Sequence, residues 1–370
     1  MSLFSYVPRP LADLPWRILS LVLALVTFGL MVLYSAAGGR VQGWVESQGL
    51  HFVLFFIAAL FLSRVSERRW KQIALPGFAI VVMMLFGVEL LGAVSKGSRR
   101  WLDLGIIRLQ PSEILKLFIV LAVARFYDLL PSGEIRRWGA IWPAAAMIGV
   151  PAALIMLQPD LGTALMVVAG GLVTMFLAGL PLRLFIGGAL ALAAATPVVY
   201  HFMHDYQRER VTIFLNPESD PLGAGYHITQ SKIAIGSGGV LGKGFMHGSQ
   251  SHLEYLPEGH TDFVFATMAE EWGLLGGTFI IVGFLIIIRW GFSIADRARS
   301  RFARLAAAGL STTLFLYMAI NLMMVMGLAP VVGIPLPLIS FGGTAMMTVM
   351  IILGILMSLD RETRIGGGLR

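Results

Sequence analysis

Residues Leu256–Gly273 read LPEGHTDFVFATMAEEWG and join a long polar segment to a hydrophobic run. Asp262 stands at this junction, where water would meet a lipid bilayer, and Glu270 and Glu271 follow inside the predicted helix. Carboxylates at membrane depth are costly and usually serve a function. The alternative is structural, because Thr or Asp before an apolar run commonly caps a helix, and Thr261 or Asp262 would be that cap.

The overall composition predicts a helical membrane protein. Of 370 residues, 57% are hydrophobic and 13% are charged, and the mean hydropathy is +0.79, whereas soluble domains carry roughly 25% charged residues. Long continuous apolar runs favour helices over a β-barrel. In a membrane protein, the net charge of +7 reflects the membrane orientation and contacts with anionic lipids rather than binding to nucleic acid. We predict an all-α polytopic protein with a single membrane domain over residues 1–370 and, without cysteine, no disulfide.

Ten apolar runs predict about ten transmembrane helices. Several of them are short or contain Gly and Pro, which indicates tilted or kinked helices. The predicted spans are residues 18–37, 48–64, 74–92, 112–128, 140–157, 161–179, 183–200, 263–288, 305–326 and 344–359.

Lysine and arginine indicate the orientation, because cytoplasmic segments of membrane proteins are enriched in them. With the N-terminus inside, 18 of the 28 basic residues lie in cytoplasmic segments. Both termini are then cytoplasmic, and the two longest outer segments are residues 93–111 and 201–262. The second of these is predicted to be a large extracytoplasmic loop between helices seven and eight.

The outer segment 93–111 carries basic residues on the side where the charge rule predicts few. Arg99 and Arg100 directly precede Trp101. An anionic ligand at the outer leaflet would explain this cluster. The alternative is a solvated loop beside anionic headgroups, with Trp101 as an interfacial anchor.

The fourth predicted helix begins with QPSE at residues 110–113, and Pro111 suits a first helical turn. Glu113 and Lys116 are three residues apart, so they share a helix face and can pair. A buried pair is weak evidence for stability, and intramembrane pairs more often line a cavity or pathway. We therefore predict a functional pair. Asp160 follows another Gln-Pro at the sixth helix, where an acid favours the helix start, and we expect it to be structural.

The large outer loop contains Arg210 and Lys243. Its stretch Gly236–Gly244, GSGGVLGKG, resembles a phosphate loop but lacks the GxxxxGK[ST] pattern. The glycines instead predict a close backbone approach to a ligand or to the membrane. Residues 228–235 are expected to form a short amphipathic helix on the membrane.

The segment Gly327–Thr344 has no charged residue and contains three prolines. It is too apolar for a solvated loop, and its prolines would interrupt a helix. Non-helical backbone at membrane depth occurs where protein covers it or where it lines a cavity. We predict a re-entrant or buried segment that brings Ser340, Gly342 and Gly343 close to the site.

These residues favour chemistry or transport on an amphiphile with an anionic head at the outer leaflet. A lone carboxylate can act as a general base on a hydroxyl, and cationic groups can stabilise a phosphate leaving group. No nucleotide motif, Ser-His-Asp pattern or Cys-His pattern is present in the sequence. His201 and His204 have a spacing that suits a metal, but no acid-rich cluster accompanies them, and we interpret them as surface residues.

Five stretches along the chain together resemble the SEDS family of bacterial cell-wall synthesis. They are GSRRWL at 97–102, QPSEILK at 110–116, QPDLGT at 158–163, PEGHTDF at 257–263 and the segment 330–344. They occur in the family's order and span nearly the whole chain. The short termini and compact length are more similar to the elongation members than to the division members.

The resemblance implies a peptidoglycan glycosyltransferase in the bacterial cytoplasmic membrane, with its site facing the periplasm or the outside. It would polymerise lipid II and release undecaprenyl pyrophosphate. The family's essential acid corresponds to Asp262, and its helical acid–lysine pair corresponds to Glu113 and Lys116. The implied partners are a class B penicillin-binding protein and Mre-type elongation proteins. A division polymerase, a lipid II flippase or transporter, and a non-catalytic scaffold remain alternatives.

Our mechanistic hypothesis makes Asp262 the base that deprotonates the 4-hydroxyl of the acceptor sugar. Basic side chains would hold the donor's pyrophosphate, with a divalent cation such as Mg²⁺ as an open possibility. The predicted substrate-binding residues are Glu113, Lys116, Arg99, Arg100, Gln110, Arg210, Lys243 and Ser340. The predicted structural residues near the site are Asp160, Pro111, Gly342 and Gly343.

Overall fold

The computed structural model is almost entirely helical in the part of the chain that it describes. That part comprises residues 13–91, 93–95, 98–103, 108–131, 133–203, 205–220, 223–252, 255–256 and 258–367. Of the residues discussed above, Gly97, His204 and Pro257 lie outside it.

Each of the ten predicted spans coincides with a helix. The ten helices are α1 (Trp16–Ala36), α2 (Trp44–Leu62), α3 (Glu67–Leu91), α4 (Pro111–Leu129), α5 (Trp138–Leu157), α6 (Leu161–Leu177), α7 (Leu182–Phe202), α11 (Val264–Arg297), α12 (Arg301–Val325) and α13 (Gly343–Gly367). Three shorter helices separate α7 from α11: α8 (Asp205–Leu215), α9 (Ala224–Gly238) and α10 (Ser249–His252).

Several helix ends differ from the predicted span ends. Helix α3 begins at Glu67 rather than at residue 74, and α11 continues to Arg297 rather than ending at residue 288. Hydropathy marks only the apolar part of a helix, whereas the hydrogen-bonded backbone continues into the charged turns beyond it.

The helices define a multi-pass membrane protein. Seven described helices are long and apolar enough to cross a membrane, and α6 and the 182–198 part of α7 are shorter apolar helices. Helix α4 is the exception among the ten, because it contains Glu113, Lys116, Arg125 and Asp128. Charges of this kind are tolerated where a helix is surrounded by protein rather than lipid.

Helix α4 accordingly lies at the centre of the bundle. Its side chains are buried along almost its whole length, and it packs against α3, α6 and α12. Helix α7 is the opposite case, with large apolar side chains such as Leu190 and Leu192 exposed at 66% and 64%. In a membrane this exposed surface would face acyl chains, as is usual for peripheral spans.

Both long outer segments contain regular secondary structure beyond the predicted amphipathic helix at residues 228–235. Residues 93–109 include a three-stranded antiparallel sheet of β1 (Ala93–Ser95), β2 (Ser98–Asp103) and β3 (Arg108–Leu109), in the order β1-β2-β3. These strands are too short to give a recognisable period of two. Residues 201–262 contain α8, α9 and α10, whose polar composition concealed their helical structure.

The amphipathic helix predicted at residues 228–235 lies within α9. Its buried face includes Ile228, Ser231 and Ala234, and it packs against α11 and α12. The Ser231 hydroxyl donates to the Val325 carbonyl at 2.7 Å. Helix α9 is therefore attached to the bundle by its buried face.

Helix α11 is interrupted at Gly273, and the glycine-rich stretch 236–244 fills the interruption. Gly273 has φ 59° and ψ −154°, a conformation that is essentially restricted to glycine. Four main-chain hydrogen bonds join the two segments: Lys243 to Glu270 (2.9 Å), Gly244 to Glu271 (3.0 Å), Leu274 to Gly239 (2.9 Å) and Leu275 to Val240 (3.2 Å). The close approach predicted from the glycines is thus made to α11, and the expectation that a ligand or the membrane would be its partner is corrected.

Gly273→Ala is expected to destabilise the protein by about 2–4 kcal/mol, because a side chain is strained in this conformation. A Cβ at this position would also lie 2.6 Å from the Val240 carbonyl oxygen. The unfolding transition of the detergent-solubilised protein measures the effect. Gly277→Ala is the matched control, because a Cβ there would meet its nearest atom, of Phe265, at an ordinary 3.4 Å. Equal transitions for the two variants would contradict the assigned role of Gly273.

Candidate active site

Asp262 lies in the tight turn that leads into α11. The helix begins at Val264 with Phe263 at the N-cap position, so neither Thr261 nor Asp262 occupies that position. The Thr261 hydroxyl instead donates to the Glu258 carboxylate at 2.6 Å. Asp262 is partly buried and partly exposed.

Three elements distant in sequence hold this turn. The indole of Trp44 on α2 stacks on the imidazole of His260, with ring centroids 3.8 Å apart and planes 5° apart. The His260 carbonyl accepts from the Phe341 amide at 2.9 Å. The Asp262 carbonyl accepts from Nδ2 of Asn321 on α12 at 2.9 Å. The backbone that carries the carboxylate is therefore fixed on several sides.

The Asp262 side chain lies against Gly333. A Cβ built on Gly333 would be 3.4 Å from Oδ2 of Asp262, and the glycine has φ +72°. This backbone conformation favours glycine, and it brings the segment between α12 and α13 next to the carboxylate.

That connecting segment is non-helical, as the uncharged, proline-rich sequence predicted, and it is largely buried from Ile334 to Ser340. Leu336 and Ile339 are both 0% exposed. The Ser340 hydroxyl accepts from the Leu336 amide at 2.8 Å, and its carbonyl accepts from Gln48 of α2 at 2.8 Å. The Gly342 amide donates to the same Gln48 side chain at 3.2 Å. Ser340 and Gly342 thus shape this segment, and Gly343 packs closely against His51.

The predicted pair of Glu113 and Lys116 forms a closed network with Tyr317 of α12. Lys116 Nζ donates to Glu113 Oε1 at 2.6 Å and to the Tyr317 hydroxyl at 2.8 Å, and that hydroxyl donates to Glu113 Oε2 at 2.7 Å. Glu113 is 6% exposed, Lys116 1% and Tyr317 0%. The ammonium group also lies 4.4 Å from the tyrosine ring centroid, within cation–π range.

Helix α12 connects this network to the Asp262 turn. Tyr317 and Asn321 are four residues apart on one face, so they are about 6 Å apart along the helix axis. The first binds the Glu113–Lys116 pair and the second binds the turn. The acid of the turn and the buried ion pair are therefore attached to one rigid element.

The two similar Gln-Pro helix starts contact each other. Asp160 is the N-cap of α6, where its Oδ1 accepts from the Thr163 amide at 3.1 Å. Its Oδ2 accepts from Gln110 Nε2 at 3.2 Å. Gln110 is itself the N-cap residue of α4, and Pro111 follows in the first turn. Asp160 thus caps a helix, which is consistent with the structural role predicted for it.

Arg100 and Arg210 approach the site from the two long outer segments. Arg100 of β2 donates through Nε to the Gln158 carbonyl at 3.0 Å and also binds the Pro159 carbonyl. Arg210 of α8 donates through Nη1 to the Val331 carbonyl at 2.9 Å. Main-chain carbonyls thus orient both guanidinium groups.

The charged groups that influence Arg210 include Arg100, Asp160 and Asp262. Burial and the nearby Arg100 guanidinium lower the pKa of Arg210, whereas Asp160 and Asp262 act in the opposite direction. Arg210 remains protonated at any physiological pH. It therefore shares one electrostatic environment with the second arginine and with both aspartates.

Lys243 lies in a different ion pair. Its ammonium group is 2.6 Å from Oε1 of Glu270 on α11 and 2.9 Å from the Ser249 hydroxyl. Glu270 is fully buried and also accepts from the Gln250 amide. Glu271 accepts from the Ser35 hydroxyl. The side chain of Arg99, predicted alongside Arg100, lies outside the described part of the protein.

Sequence reasoning missed Tyr317 and Asn321. Both are polar residues within the uncharged run 305–326, at the i and i+4 spacing of one helix face. Polar side chains inside a span usually face protein and find partners there. That spacing was the available signal, but the partners could not be read from it.

The described residues contain no group of three or more His, Cys, Asp or Glu side chains that could hold a metal ion. Asp262 and Asp160 are the acids around Arg210, and Asp160 is engaged as a helix cap.

The fold is that of a multi-pass helical membrane protein, in which the Asp262 turn, Arg210 and the segment before α13 meet. A family profile described as "Cell cycle protein", covering FtsW, RodA and SpoVE, matches residues 16–365. The chain belongs to this family, and the family resemblance read from the five motifs is confirmed.

Relatives and solved structures agree with this membership. Peptidoglycan glycosyltransferase MrdB of Escherichia coli K12 is 46% identical over 350 residues, which cover 94% of this chain and 93% of MrdB. A chain of a solved peptidoglycan synthase complex, studied for the coordination of polymerization and crosslinking, superposes with a TM-score of 0.82 at 32% identity, covering 95% of this chain and 98% of that chain. The crystal structure of the rod shape determining protein RodA of Thermus thermophilus gives a TM-score of 0.71 at 28% identity, covering 94% and 97%.

Proposed function

We propose that the protein is a peptidoglycan glycosyltransferase that polymerises lipid II during cell elongation. The observation that carries this proposal is the Asp262 carboxylate, partly accessible and anchored beside Gly333, in one electrostatic environment with Arg100 and Arg210. A base in the electrostatic environment of a guanidinium group suits the transfer of a sugar from a pyrophosphate carrier. The 46% identity to peptidoglycan glycosyltransferase MrdB over nearly the whole chain supports the activity, and the similarity to the rod shape determining protein RodA supports the elongation role.

In the proposed reaction Asp262 takes the proton of the 4-hydroxyl of the acceptor N-acetylglucosamine. The resulting oxygen attacks the anomeric carbon of the donor N-acetylmuramic acid, and the bond to undecaprenyl pyrophosphate breaks with inversion. A positioned general base contributes about 10²–10⁴-fold to such a step. Anchoring of the turn favours catalysis because a fixed carboxylate need not be ordered again in each turnover.

Arg100 and Arg210 are proposed to hold the pyrophosphate group. A guanidinium has five N–H donors, so the bonds to main-chain carbonyls orient each arginine without using all of them. Preorganised cations of this kind stabilise the charge that develops on a leaving group. A divalent cation remains a separate prediction. No step above depends on it.

Arg210→Gln is expected to raise the KM for lipid II about tenfold or more, because a charge-assisted contact with the anionic head is lost. Initial polymerisation rates at several lipid II concentrations measure this. Arg208→Gln is the matched control on the same helix, since Arg208 donates to the Tyr200 carbonyl at 3.1 Å and interacts with Asp205. An unchanged KM for Arg210→Gln would exclude Arg210 from substrate binding.

We further propose that the ten helices α1–α7 and α11–α13 all span the cytoplasmic membrane, with both termini in the cytoplasm. The sheet at residues 93–109 and the α8–α10 region would then face the periplasm or the outside. The distribution of lysine and arginine supports this orientation. The proposed partners are a class B penicillin-binding protein, in line with the superposed synthase complex, and Mre-type elongation proteins.

The experiment that tests the function is polymerisation of purified lipid II by the protein with its class B penicillin-binding protein, whose transpeptidase is blocked by a β-lactam. Long glycan on a gel is expected. A flippase would instead move labelled lipid II across liposomes without lengthening glycan. A scaffold would give neither result, so absence of glycan in this assay would overturn the proposal.

A further inference from the structure

Asn321 on α12 holds two non-helical segments together. It is 0% exposed. Its amide nitrogen donates to the Asp262 carbonyl at 2.9 Å and to the Ile334 carbonyl at 2.7 Å. Both partners are acceptors, so the nitrogen and not the oxygen must face them. The oxygen has no hydrogen-bond partner among the described residues, and the two N–H donors make all the hydrogen bonds found there.

The two carbonyls come from the two sides of the site. Asp262 precedes the N-cap of α11, so its carbonyl lies outside the regular hydrogen bonds of that helix. Ile334 follows Gly333, the residue against which the Asp262 carboxylate lies. One side chain thus binds the residue that carries the proposed base and the residue that directly follows Gly333, which lies beside the carboxylate.

The same short segment also binds Arg210, one of the two arginines proposed to hold the pyrophosphate. Arg210 donates to the Val331 carbonyl at 2.9 Å, three residues before Ile334. The segment 331–334 therefore contacts Arg210 at one end and Asp262 at the other. A donor that joins Asp262 to this segment also sets the separation between carboxylate and guanidinium.

From these contacts we infer that Asn321 is a positioning residue for the transfer reaction. It fixes Asp262 relative to the segment 331–334, and through that segment relative to Arg210. It does not touch substrate in this arrangement. The kinetic part of this inference rests on the proposed glycosyltransferase function, whereas the geometric part does not.

Two substitutions distinguish the effect of losing the N–H donors of Asn321 from the effect of changing the size of its side chain. Asn321→Asp keeps size and one oxygen but loses both N–H donors, and Asn321→Ala removes the whole amide. Both are expected to lower kcat for lipid II polymerisation about 10²-fold, because misplacing a reacting group by about 1 Å has this effect. The KM is expected to stay within about twofold, since substrate contacts are unchanged.

Thr313→Val is the matched control on the same helix. Thr313 is 1% exposed and donates to the carbonyl of Gly309 in its own helix, so its replacement removes a buried hydrogen bond without affecting the turn. It is expected to retain the wild-type kcat. A loss of kcat in this control equal to that in the Asn321 variants would show a general structural effect and would overturn the inference.

A second readout does not depend on catalysis. The chain has no cysteine, so Thr261→Cys introduces a single site for a nitroxide spin label in the turn. Asn321→Ala is expected to increase the mobility of this label in the electron paramagnetic resonance spectrum, and Thr313→Val is expected to leave it unchanged. An immobile label in Asn321→Ala, or an Asn321→Asp variant with wild-type kcat, would overturn the inference. A mobile label in Asn321→Ala with no polymerisation by the wild type would support positioning and refute the proposed function.

Discussion

Asp262→Asn is expected to reduce glycan polymerisation about 10²–10⁴-fold, because an amide cannot accept the proton of the acceptor hydroxyl. The substitution conserves the size of the side chain. The contacts of the turn with Asn321 and Phe341 use the main-chain carbonyls of Asp262 and His260, not the carboxylate. The fold and the binding of the penicillin-binding protein should therefore persist. Gel analysis of glycan made from purified lipid II, with the transpeptidase blocked, measures the loss.

Asp220→Asn provides the matched control for this experiment. Asp220 is also a partly buried carboxylate of the segment between α7 and α11, and it accepts from the Gly223 amide at 3.0 Å. An amide oxygen can replace it in that bond, so this variant should polymerise like the wild type. If Asp262→Asn were as active as this control, Asp262 would not be the base and a scaffold role would become the better explanation.

Lys116→Met is expected to destabilise the protein by about 3–5 kcal/mol and to reduce polymerisation strongly. The side chain is 1% exposed and lies 2.6 Å from the Glu113 carboxylate. Removing the ammonium group leaves a buried charge without its counter-ion, which is the costly way to break such a pair. Thermal unfolding and polymerisation should be measured on the same preparation. Arg137→Met is the control, because Arg137 and its partner Glu134 are also three residues apart but are exposed at 72% and 44%, and such pairs contribute only about 0–1 kcal/mol.

The double variant Glu113→Gln/Lys116→Met separates stability from function. It contains no buried charge at these positions, and the Gln can still accept from Tyr317, so most of the lost stability should return. If the pair serves the reaction, the double variant should fold and remain inactive. Wild-type polymerisation by the double variant would show that the pair acts only in folding.

Features with a local signature could be predicted from the sequence. The ten helices follow from apolar runs, and the pairing of Glu113 with Lys116 follows from their spacing. Asp262 was identifiable because a charge at the edge of an apolar run is costly. The uncharged, proline-rich segment before α13 predicted buried non-helical backbone for a similar reason.

Features made by distant residues could not be predicted in this way. The sequence places Lys243 in a glycine-rich stretch that resembles an anion-binding loop. Its ion-pair partner Glu270 lies on helix α11, 27 residues further along the chain. Tyr317 joins a pair located about 200 residues earlier in the chain. Hydropathy and spacing report which side chains are buried, and they do not report which segments meet.

The anchoring of the Asp262 turn has a consequence for biosynthesis. Its partners Asn321 and Phe341 are translated about 60 and about 80 residues after it. At about 5–20 residues per second, the turn leaves the ribosome roughly 4–16 s before its last anchor is made. During that interval the nascent chain contains the carboxylate but not the contacts that orient it. We therefore expect the polymerase to reach its full rate only after these contacts have formed.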